Sequence, residues 1–233
     1  MPVWQDMYES VKDHDFIVIA VAQESRGEET AREFIEAADP SYVCLIDEQH
    51  QVADLYNMVN VPNAVWIDEN GVIVRPSETA GSHDSFRSMN RTDFSQSDEA
   101  LALAAKAQST YLAAVKDWAI KGSESEHAFS EQEAREHIAR PTQQTALAHA
   151  SFQLGIYLRK NGKEDEGDLF LKSASELHPD SWNMFRQAMN LKDIGEVAGL
   201  AADQSFFDRL DALEGKRYYP PPDIAGFPRE PGY

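Results

Sequence analysis

The sequence predicts an α/β domain with a mostly parallel sheet, followed by an all-helical domain, and three observations carry that expectation. Residues 16–22 and 42–46 are short apolar runs rich in β-branched residues, the composition of strands covered on both faces. Amphipathic helical stretches alternate with them, which gives a βαβαβ order. From Ser97 onward the apolar positions follow the helical period instead.

Each element has its own warrant. Val3, Trp4, Met7, Tyr8 and Val11 recur at three- and four-residue spacings, so residues 3–13 read as an amphipathic helix with Pro2 in its first turn. Residues 16–22 read as a central parallel strand. Glu28 to Ala38 reads as the crossover helix, with Ala31, Phe34, Ile35 and Ala38 on one face and acidic residues at its start, where the helix dipole favours them. A second buried strand over 42–46, a helix over 49–59 and a third strand over 64–68 complete the βαβαβ unit. Asn70-Gly71 suits a tight hairpin turn, and Val72 to Val74 then returns as an antiparallel partner in the same sheet. Residues 75–96, polar and without period, read as a long surface connection, which places a domain boundary near residue 95.

The second half starts with a helix from Ser97 to about Lys121, striped by Leu101, Ala104, Ala105, Tyr111, Leu112, Val115 and Trp118 and stopped by Gly122. Ser130-Glu-Gln-Glu133 fits a capping box for a short helix to about Ala139, ended by Pro141. Further helices are expected over 148–179, Ser181 to Leu191 and Asp203 to Glu214, with Trp182, Met184, Phe185, Phe206, Phe207, Leu210 and Leu213 closing the core. The prolines of 216–233 exclude helix and central strand, so this tail is expected to drape along the surface in extended form. The expected domains are therefore 1–95, 96–215 and the tail 216–233.

Composition narrows the function. Forty Asp and Glu against 21 Lys and Arg leave a formal net charge of −19, which repels phosphate backbones and anionic membranes, so no nucleic-acid partner is expected. No apolar run approaches the roughly 20 residues that span a bilayer, and the first residues lack a signal-peptide pattern, so a cytoplasmic location is the default expectation. Cys44 is the single cysteine, so the sequence cannot form an intrachain disulfide, a CxxC pair or a cysteine-rich zinc site. It lies in a strand-like apolar run without a basic neighbour, where a thiol is inert. The seven histidines show no metal-ligating spacing, so neither metal nor cofactor is expected. Ser82-His83-Asp84-Ser85 holds the residue types of a hydrolase triad, but neighbours in a loop point apart and read as polar loop. No catalytic residue is assigned.

Asp54-Leu-Tyr56, Val61-Pro62-Asn63-Ala64-Val65-Trp66-Ile67-Asp68 and Asn70-Gly71 together carry a resemblance. They resemble the thioredoxin-like redoxins of the alkyl hydroperoxide reductase/thiol-specific antioxidant and cytochrome-maturation type, in which a Val-Pro step leads to an apolar strand, an Asp and a turn. Met1-Pro2-Val3-Trp4 through Tyr8 and Lys12 resembles the helix that follows the family's redox cysteines. The resemblance implies an α/β thioredoxin-like fold, incomplete at its N-terminus. It also implies a cis Pro62, with Val61 and Pro62 presenting backbone to a protein or peptide thiol/disulfide partner. Two explanations for the absent cysteine pair stand side by side: it lies upstream of Met1, or the protein is a redox-inactive binding or scaffold protein. An absent first strand would leave an open sheet edge, through which a homo-oligomer is expected.

Residues 148–179 resemble one tetratricopeptide repeat through Leu154-Gly155, Leu158, Asn161-Gly162, Gly167, Leu171, Ala174, Leu177 and Pro179. Small residues at 155, 167 and 174 let two helices cross closely, and flanking helices must bury the repeat's remaining face. The expected role is a packing module within the all-helical domain.

Overall fold

The computed structural model describes residues 2–190 and 204–232. Met1, Leu191, Asp203 and Tyr233, named in the expectations above, lie outside the described residues. In chain order the elements are α1 (Pro2–Glu9), β1 (Ile19–Ala22), α2 (Glu28–Ala38), β2 (Val43–Ile46), α3 (Gln51–Leu55), β3 (Asn63–Ile67) and β4 (Ile73–Thr79). A 3-10 turn over Asp84–Ser88 precedes α4 (Asp98–Lys121), α5 (Glu131–His137), α6 (Gln143–Lys160), α7 (Glu164–Leu177), α8 (Trp182–Asn190) and α9 (Gln204–Asp211). The βαβαβ order stands, as does the Ser130–Glu133 capping box at the start of α5.

Contacts divide the chain into two compact units, and neither follows one continuous stretch of sequence. The first holds residues 1–18, 61–138 and 209–233, and the second holds 19–60 and 139–208.

In the first unit β3 and β4 form an antiparallel pair, with Asn63 opposite Thr79 and register shifts around Trp66. The connecting turn differs from the tight hairpin expected: only Gly71 has a positive φ, 77°, and Asp68 organises a longer loop by accepting from the amides of Asn70 and Val72. The core gathers Met7, Val11, Trp66, Ala107, Tyr111, Val115, Ile224 and Phe227. Trp66 stacks on Trp118 at 5.0 Å and meets the Tyr111 ring edge at 6.0 Å.

Two expectations fail in part in this unit. The first half of 75–96 is not a surface connection, because β4 continues to Thr79 and Arg75, Asp84 and Ser85 are fully buried, whereas residues 90–95 are exposed as expected. The described part of the tail is neither helix nor strand, as expected, but it does not only drape over the surface: Tyr218, Ile224 and Phe227 are buried, the last two inside the aromatic core. A polar composition misleads here because intramolecular partners replace water for each charged group.

In the second unit β1 and β2 form a parallel pair, Ile19 opposite Val43 through Ala22 opposite Ile46. Among the described residues this is a two-stranded sheet, so β1 is not a central strand, and the expectation of one mixed sheet is corrected to two separate pairs. Nor are the strands covered on both faces, since Ile19, Val43 and Leu45 are about half exposed. The helix expected over 49–59 shortens to α3. The other half of the unit is an antiparallel helix pair whose core is Ala148, Phe152, Ile156, Leu171, Ala174 and Met184. An ion pair between Arg159 and Asp168 ties α6 to α7. The amide of Trp182 donates to Val59 O at 2.7 Å, so α8 starts on the chain that leaves α3.

Candidate functional site

Val61 and Pro62 precede β3 in the first unit, and both are exposed. The peptide bond between them is cis. The loop is fixed from below by β4: the Ala80 amide donates to Pro62 O at 3.1 Å, and the Ser77 hydroxyl donates to the Asn63 side-chain oxygen at 2.8 Å. The strand entry is thus pinned at Pro62 and Asn63, while Val61 and Pro62 remain exposed.

One residue reaches the loop from the far end of the chain. The Tyr219 hydroxyl donates to Val61 O at 3.1 Å, although the two residues are 158 positions apart. Its ring lies 5.7 Å from Phe86, which also packs on Tyr218 at 5.1 Å. Asp84 holds both tyrosines by their backbone, accepting from the Tyr218 amide at 3.1 Å and the Tyr219 amide at 2.6 Å. Arg87 stands 3.7 Å from the same carboxylate and donates to Lys216 O at 3.1 Å. The tail therefore enters this region through a buried carboxylate and a guanidinium. The Tyr-Tyr-Pro-Pro-Pro sequence carries no signal of such a contact, since nothing local specifies a carbonyl so distant in sequence.

In Ser82-His83-Asp84-Ser85 the last three residues are buried and Ser82 is half-buried. His83 Nδ1 accepts from the Ser85 amide at 3.1 Å, capping the 3-10 turn, and burial pushes the imidazole pKa down. His83 Nε2 and the Ser85 hydroxyl are both buried without a hydrogen-bond partner. Asp84 is committed to the tyrosine amides. Within this cluster no nucleophile, base and orienting acid stand in series, so these four residues support no acyl-transfer chemistry.

Cys44 lies on β2 in the second unit, half-buried, and burial raises its thiol pKa. A raised pKa lowers the thiolate fraction at neutral pH, the opposite of what disulfide exchange requires. Among the described residues no group of three or more His, Cys, Asp or Glu is placed to hold a metal ion, and no helix is long and apolar enough to cross a membrane. A groove of about 520 Å³ in the first unit runs between α4 and the tail, lined by Ser109, Ala113, Asp117, His127 and Ile224. Of the two acids that line it, Asp117 and Glu126, Asp117 is held below the usual carboxylate range by hydrogen bonds from Lys121 and Ser125, so it is no proton donor at neutral pH.

Neither the comparison with curated proteins nor that with solved structures returned a match. Residues 1–75, which include α1 through β3 and the Val61–Pro62 loop, match the model of the AhpC/TSA family, and this first third of the chain is similar to thioredoxin-like redoxins.

Proposed function

We propose that residues 1–95 are the substrate-docking part of a thioredoxin-like thiol:disulfide oxidoreductase, in which Val61 and Pro62 present backbone to an extended protein or peptide thiol/disulfide partner. The observation that carries this reading is the AhpC/TSA match across the loop, joined to an exposed Val61–Pro62 step with a cis peptide bond. Disulfide exchange proceeds by thiolate attack on a disulfide sulfur through a mixed disulfide. Cys44, a lone thiol with a raised pKa, cannot both attack and resolve. In this reading a cysteine pair preceding residue 1 supplies that chemistry. The helix pair α6 and α7 is proposed as a tetratricopeptide-like packing module, with the family-like part ending near residue 95.

The test is the intact mass of the native protein from its source, together with reduction of insulin disulfides by that protein. The expected outcome is a mass above 26.1 kDa and cysteine-dependent reduction. A mass of 26.1 kDa without reductase activity overturns the enzymatic reading. The raised thiol pKa of Cys44 then favours the second reading, a redox-inactive binding or scaffold protein built on the same Val61–Pro62 edge.

A further inference from the structure

We propose that the outward face of α6 is a self-association surface, on which a second copy of this chain docks its own α6 antiparallel about a two-fold axis centred on Phe152.

The face is apolar and uncovered. Leu147, Ala150, Leu154 and Tyr157 follow one another at spacings of three, four and three residues, which places them in one stripe along the helix. All four are exposed, Leu147 at 54%, Leu154 at 39% and Tyr157 at 63%, while Ala148, Phe152 and Ile156 of the same helix fill the core shared with α7. The stripe is also free of charge. Residues 143–158 contain no Asp, Glu, Lys or Arg, in a chain where these types make up 26% of the residues. By contrast Phe34 on α2 and Leu169 on α7, likewise exposed, adjoin Glu33 and Asp168.

These properties select a second copy as the occupant. A net charge of −19 repels a like chain wherever two charged surfaces meet, so two copies approach closely only over a face that carries no charge. The stripe also complements itself. In an antiparallel pair centred on Phe152, Leu147 meets Tyr157 of the second copy and Ala150 meets its Leu154, the two-fold axis repeating both contacts. Each large side chain thus finds an apolar partner, and each alanine makes room for a leucine. A contact of one helix per copy belongs to the small interfaces, below about 1,200 Å², which associate weakly and reversibly. The dimer is therefore expected to form with a dissociation constant of about 1–100 µM.

The test is sedimentation equilibrium of the full chain from about 1 µM to about 1 mM, with circular dichroism confirming that each variant keeps its helical content. The native chain is expected to pass from 26.1 kDa toward twice that mass as concentration rises. Leu147→Lys and Tyr157→Glu, each alone, should weaken the dimer about tenfold, because a charge then faces an apolar side chain. Both changes in one chain should recover about threefold of that loss, as two symmetric exposed ion pairs across the contact allow. Ten residues, about 15 Å, separate the two positions along one helix, so the recovery arises only between copies. A native chain that stays at 26.1 kDa throughout overturns the proposal without recourse to any variant. So does a native dimer that both single changes leave intact, because its contact then lies elsewhere. A double variant no tighter than either single one overturns the antiparallel register.

Discussion

Arg75 is fully buried, and every charged hydrogen bond it makes is internal. Its Nε and Nη2 donate to the two Glu78 carboxylate oxygens at 2.8 Å, Nη1 donates to His127 O at 2.8 Å, and Nη2 also reaches Asp223 O at 3.1 Å. The guanidinium lies 4.1 Å from the Phe129 ring centroid and 5.2 Å from that of Trp66. One side chain thus ties β4 to the chain before α5 and to the tail. Arg75→Ala strands the Glu78 carboxylate and two carbonyls, so urea denaturation is expected to show a loss of about 3–5 kcal/mol. The double replacement Arg75→Met with Glu78→Leu removes the stranded charge and should recover at least half of that loss. A double variant no better than the single one would show that the carbonyl contacts, not the charge pair, carry the stabilisation.

At the scale of an element, α6 and α7 meet backbone to backbone. A Cβ built on Gly155 would stand 2.8 Å from Leu171 Cγ and 3.0 Å from Gly167 O, and one on Gly167 would stand 2.8 Å from Gly155 O. Glycine is required here by the space between the helices, and its low helix propensity is offset by the close packing it permits around Phe152, Leu171 and Ala174. Gly155→Ala raises intrinsic helix propensity by about 1 kcal/mol yet must push the helices apart. The expected outcome is therefore a net loss of about 1–3 kcal/mol with helical content retained, read by circular dichroism during thermal unfolding. A more stable variant would show that the helices can shift at little cost.

For the whole molecule, pH is the variable that reaches both units. His50 and His149 in the second unit and His83 in the first are each held below the usual imidazole range, burial being the largest cause. His50 faces Ser25, whose hydroxyl lies 3.0 Å from Nε2, with Asp47, Glu24 and Gln187 opposing the downward shift and His149 adding to it. A depressed imidazole pKa means that the unfolded chain takes up a proton which the folded chain refuses. Stability is therefore complete above about 6.5, the ordinary imidazole value, and is lost as pH falls from there toward the depressed folded value. Carboxylates such as Asp68, Glu133 and Asp211, with pKa values held down by hydrogen bonds, lose their contribution only near and below about 4. Unfolding followed by urea between pH 7 and pH 5.5 should show a declining stability that His50→Gln flattens, because glutamine can still bond Ser25 but does not titrate. Identical slopes in both proteins would place the titration elsewhere.

Much of this chain was legible without coordinates, and the residues show why. Caps, breakers and periods are local: Ser97 and Ser130 start their helices, Gly122 stops one, and the alternation of strand and helix through β3 follows from patterns within a few residues. The Val61–Pro62 step was likewise readable, because a motif is a local string. What local chemistry cannot encode is which distant group satisfies a polar residue. Arg75, Asp84 and Tyr218 lie in stretches that look solvated, yet each is buried and shares at least one hydrogen bond with a partner more than fifty positions away. The mixed sheet expected from strand order resolves into two pairs in different units, since pairing depends on which edges meet and not on the order of apolar runs. The sequence by itself determined the elements and the family-like loop; tertiary contact alone decided that the tail, through Tyr219, occupies the carbonyl of that loop.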